Sequence, residues 1–180
     1  KPFVVRKAAI ITTGNEVFHG RIQDAFTPVI EKKIAEFGAH MMFHEVFDDD
    51  DQKITDGCLR AIEAGAEIVF CTGGMSVDPD DKTPLAIKNT GARIVSYGSP
   101  VLPGAMFLLS YYDAGDRLVP ICGLPGCAMY NKRTIFDIVL PRLMACDMIL
   151  ADELAGLGEG GLCLNCDVCT FPNCGFGKGF

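Results

Sequence analysis

Apolar and polar positions follow one another along the chain in blocks that predict alternating strands and helices. Apolar runs rich in β-formers predict strands at 4–12, 41–47, 67–71, 93–97, 105–111 and 118–122. Apolar positions at helical spacing predict helices at 26–37, 54–65, 83–89 and 129–144. Pro141 predicts a kink or a boundary within the last of these helices. The order predicts an α/β fold in three layers, α/β/α, with a mostly parallel sheet covered on both faces.

Length and composition describe a globular domain followed by a C-terminal segment. The chain has 180 residues, of which 49% are hydrophobic, enough for a packed core. We expect a ligand-binding α/β domain at 1–150 and a glycine-rich linker with a cysteine-rich, metal-binding tail at 151–180. The start, Lys1-Pro2-Phe3, lacks an initiator Met and a signal-peptide pattern, so we expect an excised domain or a processed chain whose N-terminal context is missing.

The net charge and the cysteines limit the classes of binding partner and the cellular location that we expect. A net charge of −7 without a basic cluster argues against nucleic acid and anionic membrane surfaces as partners. No apolar run reaches the length of a membrane span. The odd total of nine cysteines favours a cytoplasmic location over a disulfide scaffold. Five of them lie in apolar segments and are interpreted as buried small hydrophobes: Cys58, Cys71, Cys122, Cys127 and Cys146.

Two glycine-bearing turns contain the candidate binding chemistry. They are Thr72-Gly73-Gly74-Met75-Ser76-Val77 and Gly123-Leu124-Pro125-Gly126. Each follows a predicted strand and precedes a predicted helix, and ligands bind at the carboxyl ends of strands in open α/β sheets. Missing side chains let a ligand approach the backbone, and free N–H groups there hold anions. The turns therefore predict a pocket for a phosphorylated ligand.

Acidic residues follow the predicted strands. Asp24 lies just before the first helix, where it is either an N-cap or a carboxylate that faces the ligand. Asp78, Asp80 and Asp81 form either a solvated loop or a Mg²⁺ site, because Mg²⁺ prefers one or two carboxylates together with substrate phosphates. The acidic run 48–51 is interpreted as a solvated loop.

Taken in order, these motifs resemble the molybdopterin-binding domain of molybdenum cofactor biosynthesis, from about Ala8 to Leu143. The family includes molybdopterin adenylyltransferases, molybdopterin molybdotransferases and the corresponding gephyrin domains. Its T-G-D/N-E-L/V turn is similar to 13–17, its G-x-I-x-D segment to 20–24 and its T-G-G-V-S-V turn to 72–77. The D-x-T-P segment of the adenylyltransferase branch is similar to 81–84, and G-L-P-G matches 123–126.

The resemblance implies binding of molybdopterin, a pterin dithiolene phosphate. One branch of the family transfers AMP from Mg-ATP to that phosphate, and the other uses molybdate to complete the cofactor. By resemblance, Asp24 and Asp81 are candidate catalytic or Mg²⁺-linked acids. The candidate substrate-binding residues are Thr13, Gly14, Glu16, Thr72, Gly73, Gly74, Ser76, Thr83, Gly123, Leu124, Pro125 and Gly126. A homo-oligomer, dimer or trimer, and a molybdoenzyme client are also implied.

Departures from the family pattern leave the activity open. The K-P-G-K-P segment of the molybdotransferase branch is Val101-Leu102-Pro103-Gly104-Ala105, without either lysine. Cys127 follows the G-L-P-G turn, where the family often has Asn or Asp. The sequence is therefore compatible with two functions, an enzyme and a non-catalytic carrier or sensor of the cofactor. A domain related to the competence-damage proteins is a third alternative.

The tail contains a second constellation, C-x2-C-x2-C-x4-C, formed by Cys163, Cys166, Cys169 and Cys174. It is similar to a ferredoxin run, and four thiolates also suit Zn²⁺. An Fe–S cluster, Zn²⁺ and a metal-free or disulfide-linked tail stay open. We expect Phe171, Phe176 and Phe180 to shield a cluster or pack the tail, and Lys178 to be the only cation nearby.

Overall fold

A single six-stranded sheet forms the centre of the computed structural model, which describes residues 1–76, 78 and 80–178. The strands are β1 Lys7–Thr13, β2 His40–Phe47, β3 Ile68–Thr72, β4 Arg93–Tyr97, β5 Leu108–Asp113 and β6 Leu118–Leu124. Their order is β2-β1-β3-β6-β5-β4, and β5 runs antiparallel to both of its neighbours. The predicted mostly parallel sheet is confirmed. Val77 and Phe180 lie outside the described residues.

Helices cover both faces of the sheet. They are α1 Asn15–Phe18, α2 Phe26–Ala35, α3 Asp51–Glu63, α4 Thr83–Asn89, α5 Cys127–Tyr130, α6 Ile135–Met144 and α7 Ala151–Gly156. Helices α2 and α6 share one core with the sheet, and α3 and α4 share the other. The three-layer α/β/α architecture predicted from the apolar pattern is confirmed. Among the described residues, no helix is long and apolar enough to cross a membrane.

Strand β1 shows why the central strands are apolar throughout. Ala8 and Ile10 belong to the core under α2 and α6, whereas Ala9 and Ile11 belong to the core under α3 and α4. Successive side chains of a strand point to opposite faces, so both sets are buried. The next two residues, Thr12 and Thr13, continue this alternation. Two threonine side chains are thereby delivered to opposite faces of the same strand end.

The single helix predicted over 129–144 is wrong, because the segment forms α5 and α6 with a break between them. Thr134 is extended, with φ −141° and ψ 179°, and starts α6. Its hydroxyl accepts from the N–H of Phe136 at 3.2 Å, and Asp137 accepts from the N–H of Thr134 at 2.8 Å. This reciprocal capping places the boundary at Thr134. Pro141 lies inside α6, which continues to Met144.

The cysteines of the apolar segments do not share one environment. Cys58, Cys71 and Cys122 are buried as predicted, and Cys127 is half-buried. For Cys146 the prediction is wrong, because its side chain is exposed. It follows the end of α6 with a φ of +48°, and this left-handed turn directs the chain away from the helix axis.

The C-terminal segment packs on the α2 and α6 side of the domain. Leu154 of α7, Leu157 and Phe176 are buried in the core that contains α6. Leu102 and Leu162 form an isolated β-bridge, in which Leu102 donates to Gly161 at 2.6 Å and Cys163 donates to Leu102 at 2.8 Å. The tail is therefore tied to the predicted 1–150 domain through backbone and side chains. The division at residue 150 stays a prediction.

Candidate functional site

A cavity of about 430 Å³ opens where β1 and β3 end. Five predicted substrate or catalytic residues line it: Thr13, Gly14, Glu16, Gly74 and Asp81. The other lining residues are Asn15, Val17, Ile22, Phe26, Asp49, Asp78 and Asp80, and we call this space the acidic cavity. The remaining predicted residues do not line it; they are Asp24, Thr72, Gly73, Ser76, Thr83, Gly123, Leu124, Pro125 and Gly126.

Two buried threonines hold the first glycine turn beneath the cavity. Thr83 donates from Oγ1 to the carbonyl oxygen of Gly73 at 2.8 Å. Thr13 therefore donates its own hydroxyl hydrogen to Thr83, across 3.1 Å. Gly73 has a φ of +79°, and a Cβ built there would lie 2.0 Å from the carbonyl oxygen of Thr13. Glycine is required at this position, and Thr83 acts by fixing the turn.

Asp81 organises the acidic loop that follows the turn. Its Oδ2 accepts from the N–H and the hydroxyl of Ser76, at 2.6 and 2.8 Å. Ser76 in turn accepts from the N–H of Asp78 at 3.2 Å, and Asp78 accepts from the N–H of Asp80 at 3.0 Å. The predicted binding residue Ser76 thus bonds to Asp81 and does not line the cavity. Among the described residues, the Oδ1 atom of Asp81 makes no hydrogen bond.

Tyr97, at the end of the edge strand β4, is a neighbour of the acidic loop that sequence reasoning missed. Its hydroxyl donates to the carbonyl oxygen of Ser76 at 3.3 Å. Burial and the charge of Asp81 both raise the pKa of Tyr97. The antiparallel β4–β5 pair brings this tyrosine to the site, and no motif around it signals the approach.

Asp24 lies on the opposite face of β1 from the Thr13–Thr83 pair. Its Oδ1 accepts from the N–H groups of Phe26 and Thr27, at 2.8 and 3.1 Å, at the start of α2. Its Oδ2 accepts from the hydroxyls of Thr12 and Thr27, at 2.8 and 2.5 Å. Burial raises the pKa of Asp24, but these hydrogen bonds outweigh it and the pKa is lowered overall. Asp24 thus satisfies the first two N–H groups of α2 from the position before the N-cap residue Ala25, and its catalytic role stays a prediction.

The acidic run 48–51 divides into separate roles. Asp48 pairs with Lys53 at 2.7 Å, and Asp50 caps α3 by accepting from the N–H groups of Gln52 and Lys53. Asp49 lines the acidic cavity and accepts from the N–H of Asn15 at 3.3 Å. The solvated-loop interpretation missed Asp49. The position of Asp49 follows from the sheet topology, because β2 is parallel to β1 and both strands end at the same edge of the sheet.

The second glycine turn begins beside the first. Thr72 and Leu124 are paired at the parallel ends of β3 and β6. Met75 fills the space over Gly123, where an added Cβ would lie 2.5 Å from the methionine Cε. Thr72 is fully buried, and its Oγ1 has no hydrogen-bond partner in the described part of the chain. The two turns are packed together as one unit through Met75.

The four tail cysteines, Cys163, Cys166, Cys169 and Cys174, line one cavity of about 110 Å³, which we call the cysteine cavity. As placed, within 1–76, 78 and 80–178, no group of three or more His, Cys, Asp or Glu side chains is arranged to hold a metal ion. Lys132 and Arg133 also line this cavity, whereas Lys178 lines a neighbouring one. The expectation of Lys178 as the only nearby cation is therefore wrong. The fold brings in the loop after α5, which is distant in sequence.

Two hydrogen-bond donors lie near the thiol of Cys169. A hydrogen bond from the N–H of Phe171 and another from the Arg133 guanidinium hold the pKa of the Cys169 thiol below its ordinary value. Arg133 also lies over the ring of Phe171, 4.9 Å from its centre. These donors stabilise the thiolate of Cys169 more than water stabilises the thiolate of an isolated cysteine.

Comparison with known proteins places the fold and the glycine turns in one family. Residues 9–145 match the MoCF_biosynth family, described as "Probable molybdopterin binding domain". A molybdopterin adenylyltransferase of Pyrococcus furiosus is 26% identical over 131 residues, which cover 67% of this chain and 77% of that protein. A "Putative competence-damage inducible protein" of Bacillus subtilis is 30% identical over 88 residues, 49% of this chain. The chain spans only 21% of the length of that second relative.

Solved structures share the fold at low sequence identity. The tungsten cofactor synthesizing protein MoaB of Pyrococcus furiosus has a TM-score of 0.66 and 19% identity, covering 79% of this chain and 94% of that one. The protein CinA, of unknown function, from Thermoplasma acidophilum has a TM-score of 0.58 and 19% identity, covering 77% and 98%. These structures show the fold, and the family match over residues 9–145 shows that the chain belongs to the molybdopterin-binding domain family of molybdenum cofactor biosynthesis.

Proposed function

We propose that the chain binds molybdopterin with its terminal phosphate in the acidic cavity and transfers AMP to that phosphate from Mg-ATP. The observation that supports this is the pairing of a glycine turn with a set of carboxylates at one sheet edge. Gly74, with a φ of +52°, exposes backbone to the cavity, and Asp81 lies beside it. The similarity to a molybdopterin adenylyltransferase over two thirds of the chain supports the same reaction.

The charge of the acidic cavity calls for a divalent cation. Its lining includes Glu16, Asp49, Asp78, Asp80 and Asp81, and no lysine or arginine of the described chain lines it. A phosphate group would be repelled by these carboxylates unless a cation stands between them. Mg²⁺ is held by one or two carboxylates together with phosphate oxygens, so this donor set fits Mg²⁺. When bound, the ion neutralises phosphate charge.

Asp81 is the residue we assign to hold that ion. Its Oδ2 accepts hydrogen bonds from Ser76, which orient the carboxylate, and its Oδ1 has no hydrogen-bond partner among residues 1–76, 78 and 80–178. Asp78 or Asp80 would supply a second carboxylate oxygen from the same loop. A carboxylate held in place before substrate arrives loses little entropy on binding, which is how positioning accelerates group transfer.

The transfer is a substitution at the α-phosphorus of ATP. An oxygen of the molybdopterin phosphate attacks this phosphorus, a new P–O bond forms, and the bond to the β-phosphate oxygen breaks. Pyrophosphate leaves with that electron pair, and AMP remains on the pterin phosphate. In this step the protein would position both phosphates with the glycine turn, and its acidic loop would hold the Mg²⁺ that balances their charge.

Incubation with molybdopterin and Mg-ATP tests the proposal, with pyrophosphate and adenylylated molybdopterin as readouts. We expect both products from the natural chain and at least a 100-fold loss of rate in Asp81→Asn, the loss typical of removing one electrostatic contact. Asp116→Asn is the matched control, because Asp116 is an exposed acid in the β5–β6 turn. Tight pterin binding without pyrophosphate would overturn adenylyl transfer and leave a carrier or sensor.

The alternative of a non-catalytic carrier is supported by the segment 101–105. It lacks the lysines of the molybdotransferase branch, and Leu102 within it is bridged to Leu162 of the tail. This segment is therefore an attachment surface for the tail. Molybdate insertion is the less supported reaction, since an oxyanion needs cationic partners. Equilibrium binding of molybdopterin, followed by incubation with molybdate, separates carriage from insertion.

A third function follows from the competence-damage relatives, one of which is 33% identical over 88 residues. Because the chain spans about a fifth of those proteins, their whole activity stays a proposal here. Pyrophosphatase and deamidase assays on nicotinamide nucleotides test it.

Assembly is part of the same proposal. By resemblance we propose a homo-oligomer, dimer or trimer, that passes its product to a molybdoenzyme client. Sedimentation equilibrium of the full chain measures the first, and cofactor transfer to an apo-molybdoenzyme measures the second.

A further inference from the structure

We propose that the tail cysteines ligate a [4Fe–4S] cluster in the cysteine cavity and that Lys132 and Arg133 balance its negative charge. The molybdopterin site does not use this cavity, so the two proposals stand independently. All four cysteines line one space although they are spread over twelve positions of a loop between 163 and 174. All four are free thiols.

The size of the cavity favours a cluster over a single ion. Its volume is about 110 Å³. One water needs about 10–15 Å³ measured in this way, so the cavity has room for several atoms. A zinc ion would draw four sulfur atoms to about 2.3 Å from one point, whereas a cubic cluster places each thiolate on a different iron. In the described part of the chain the four thiols are not gathered around a single point, whereas all four cysteines line the same cavity.

The charges around the cavity suit a dianion. Four thiolates and a core of charge +2 leave a net charge of −2 on the assembly. The two cations of the cavity wall, Lys132 and Arg133, offset this charge in a chain that is otherwise acidic. Arg133 is held in place from behind, because its guanidinium donates to Asp137 at 3.0 Å and lies over the ring of Phe171.

The domain holds both ends of the cysteine loop. At one end, Leu162 bridges to Leu102, and at the other, Phe176 is buried with 4% exposure. The N–H of Gly177 donates to the carbonyl oxygen of Gly160 at 2.8 Å and closes the loop. Between these anchors, the described residues 163–176 form no helix or strand. Ligation would therefore fix a loop whose ends are already in place, which lowers the entropy cost of binding.

Acquisition of the cluster is a ligand exchange. Each cysteine loses one proton and forms one Fe–S bond, and the donor's ligand on that iron is released. The oxidation state of the cluster does not change, so no oxidant or reductant is needed. The balancing cations then influence the reduction potential, because positive charge near a cluster favours its reduced form.

The full chain, purified without oxygen from cells, is analysed for iron, acid-labile sulfide and zinc, and by electron paramagnetic resonance after reduction with dithionite. We expect about four iron and four sulfide per chain and the signal of a reduced [4Fe–4S] cluster. Zinc at one per chain without sulfide would overturn the proposal, as would the absence of all three elements.

Single variants locate the ligands. Cys169→Ser and Cys166→Ser are expected to lose most of the iron, whereas the matched control Cys146→Ser, at an exposed cysteine outside the tail, keeps it. Circular dichroism confirms that each variant is folded, so that iron is counted per folded chain. Iron retained in both tail variants would contradict the ligand assignment.

The charge-balancing role has its own test. Arg133→Gln is expected to keep the cluster but to shift its reduction potential to a more negative value, because a cation is lost. Arg133→Lys keeps the charge and is expected to restore most of the potential of the natural chain. An unchanged potential in Arg133→Gln would overturn the assignment of Arg133.

Discussion

The hydroxyl groups of Thr13 and Thr83, 70 positions apart in the chain, lie 3.1 Å from each other beneath the first glycine turn. The hydroxyl of Thr83 in turn donates a hydrogen bond to the carbonyl oxygen of Gly73. The end of β1, the first turn of α4 and the glycine turn after β3 are thereby held as one unit. The acidic cavity lies on that unit, so its shape depends on the hydrogen bond between these two side chains.

Replacing Thr83 by valine removes this connection at almost constant volume. We expect Thr83→Val to lower the free energy of unfolding by about 1–3 kcal/mol, because two buried polar groups lose their partner. Urea unfolding measures the effect. Thr83→Ser keeps the hydroxyl and is expected to retain most of the stability and of the molybdopterin affinity. Equal losses in the two variants would show that the hydroxyl is not what holds the turn.

Gly73→Ala tests the close approach of the turn to β1. The new Cβ would lie 2.0 Å from the carbonyl oxygen of Thr13 at a φ of +79°. We expect a loss of about 2–5 kcal/mol, the sum of left-handed strain and overpacking. Gly115→Ala is the control, since Gly115 has a φ of +89° and open space around it. It should show the strain alone, about 1–2 kcal/mol; a similar loss in both variants would contradict the clash.

The hydrogen bonds of Asp24 are expected to make the stability of the fold depend on pH in the acid range. Burial raises the pKa of its carboxyl, but hydrogen bonds from Thr27 and Thr12 lower this pKa by more than burial raises it. The pKa of Asp24 is therefore lower in the folded state than in the unfolded state. Its stabilisation is present above the unfolded pKa of about 3.9 and is lost as the pH falls through the folded pKa. Urea midpoints measured from pH 6 downward should therefore fall less steeply in Asp24→Asn. Asp116→Asn should keep the natural slope, and a natural slope in Asp24→Asn would contradict the capping role.

Asp137 is expected to be a point of large stability loss. It is buried, with 4% side-chain exposure, and it accepts from Lys33 at 2.5 Å and from Arg133 at 3.0 Å. Asp137→Ala removes the carboxylate that both cations share and the cap of α6, so we expect a loss of about 3–5 kcal/mol. Thermal unfolding measures it. Asp50→Ala, which removes an exposed cap of α3, should cost less; an equal cost would show that only capping matters.

The sequence predicted the sheet and its glycine turns because those features depend on local pattern. Strand β4 occupies the predicted 93–97, and α4 the predicted 83–89, since apolar spacing and the Thr83-Pro84 start are local signals. The break before α6 was missed, because a capping box at Thr134 outweighed continuous apolar spacing. Asp49 was missed for another reason, because its place at the site depends on β2 lying beside β1.

The sequence by itself determined the family, the strand ends at which we propose that a ligand binds, and the presence of four closely spaced tail cysteines. Each of these features depends on residues that lie close to one another in the chain. Only the tertiary structure decided which side chains share a space. It placed Asp24 at Thr12 and at the start of α2, outside the lining of the acidic cavity that contains Asp81. It also brought Arg133 into the cavity lined by the tail cysteines, because the tail folds back onto the loop between α5 and α6.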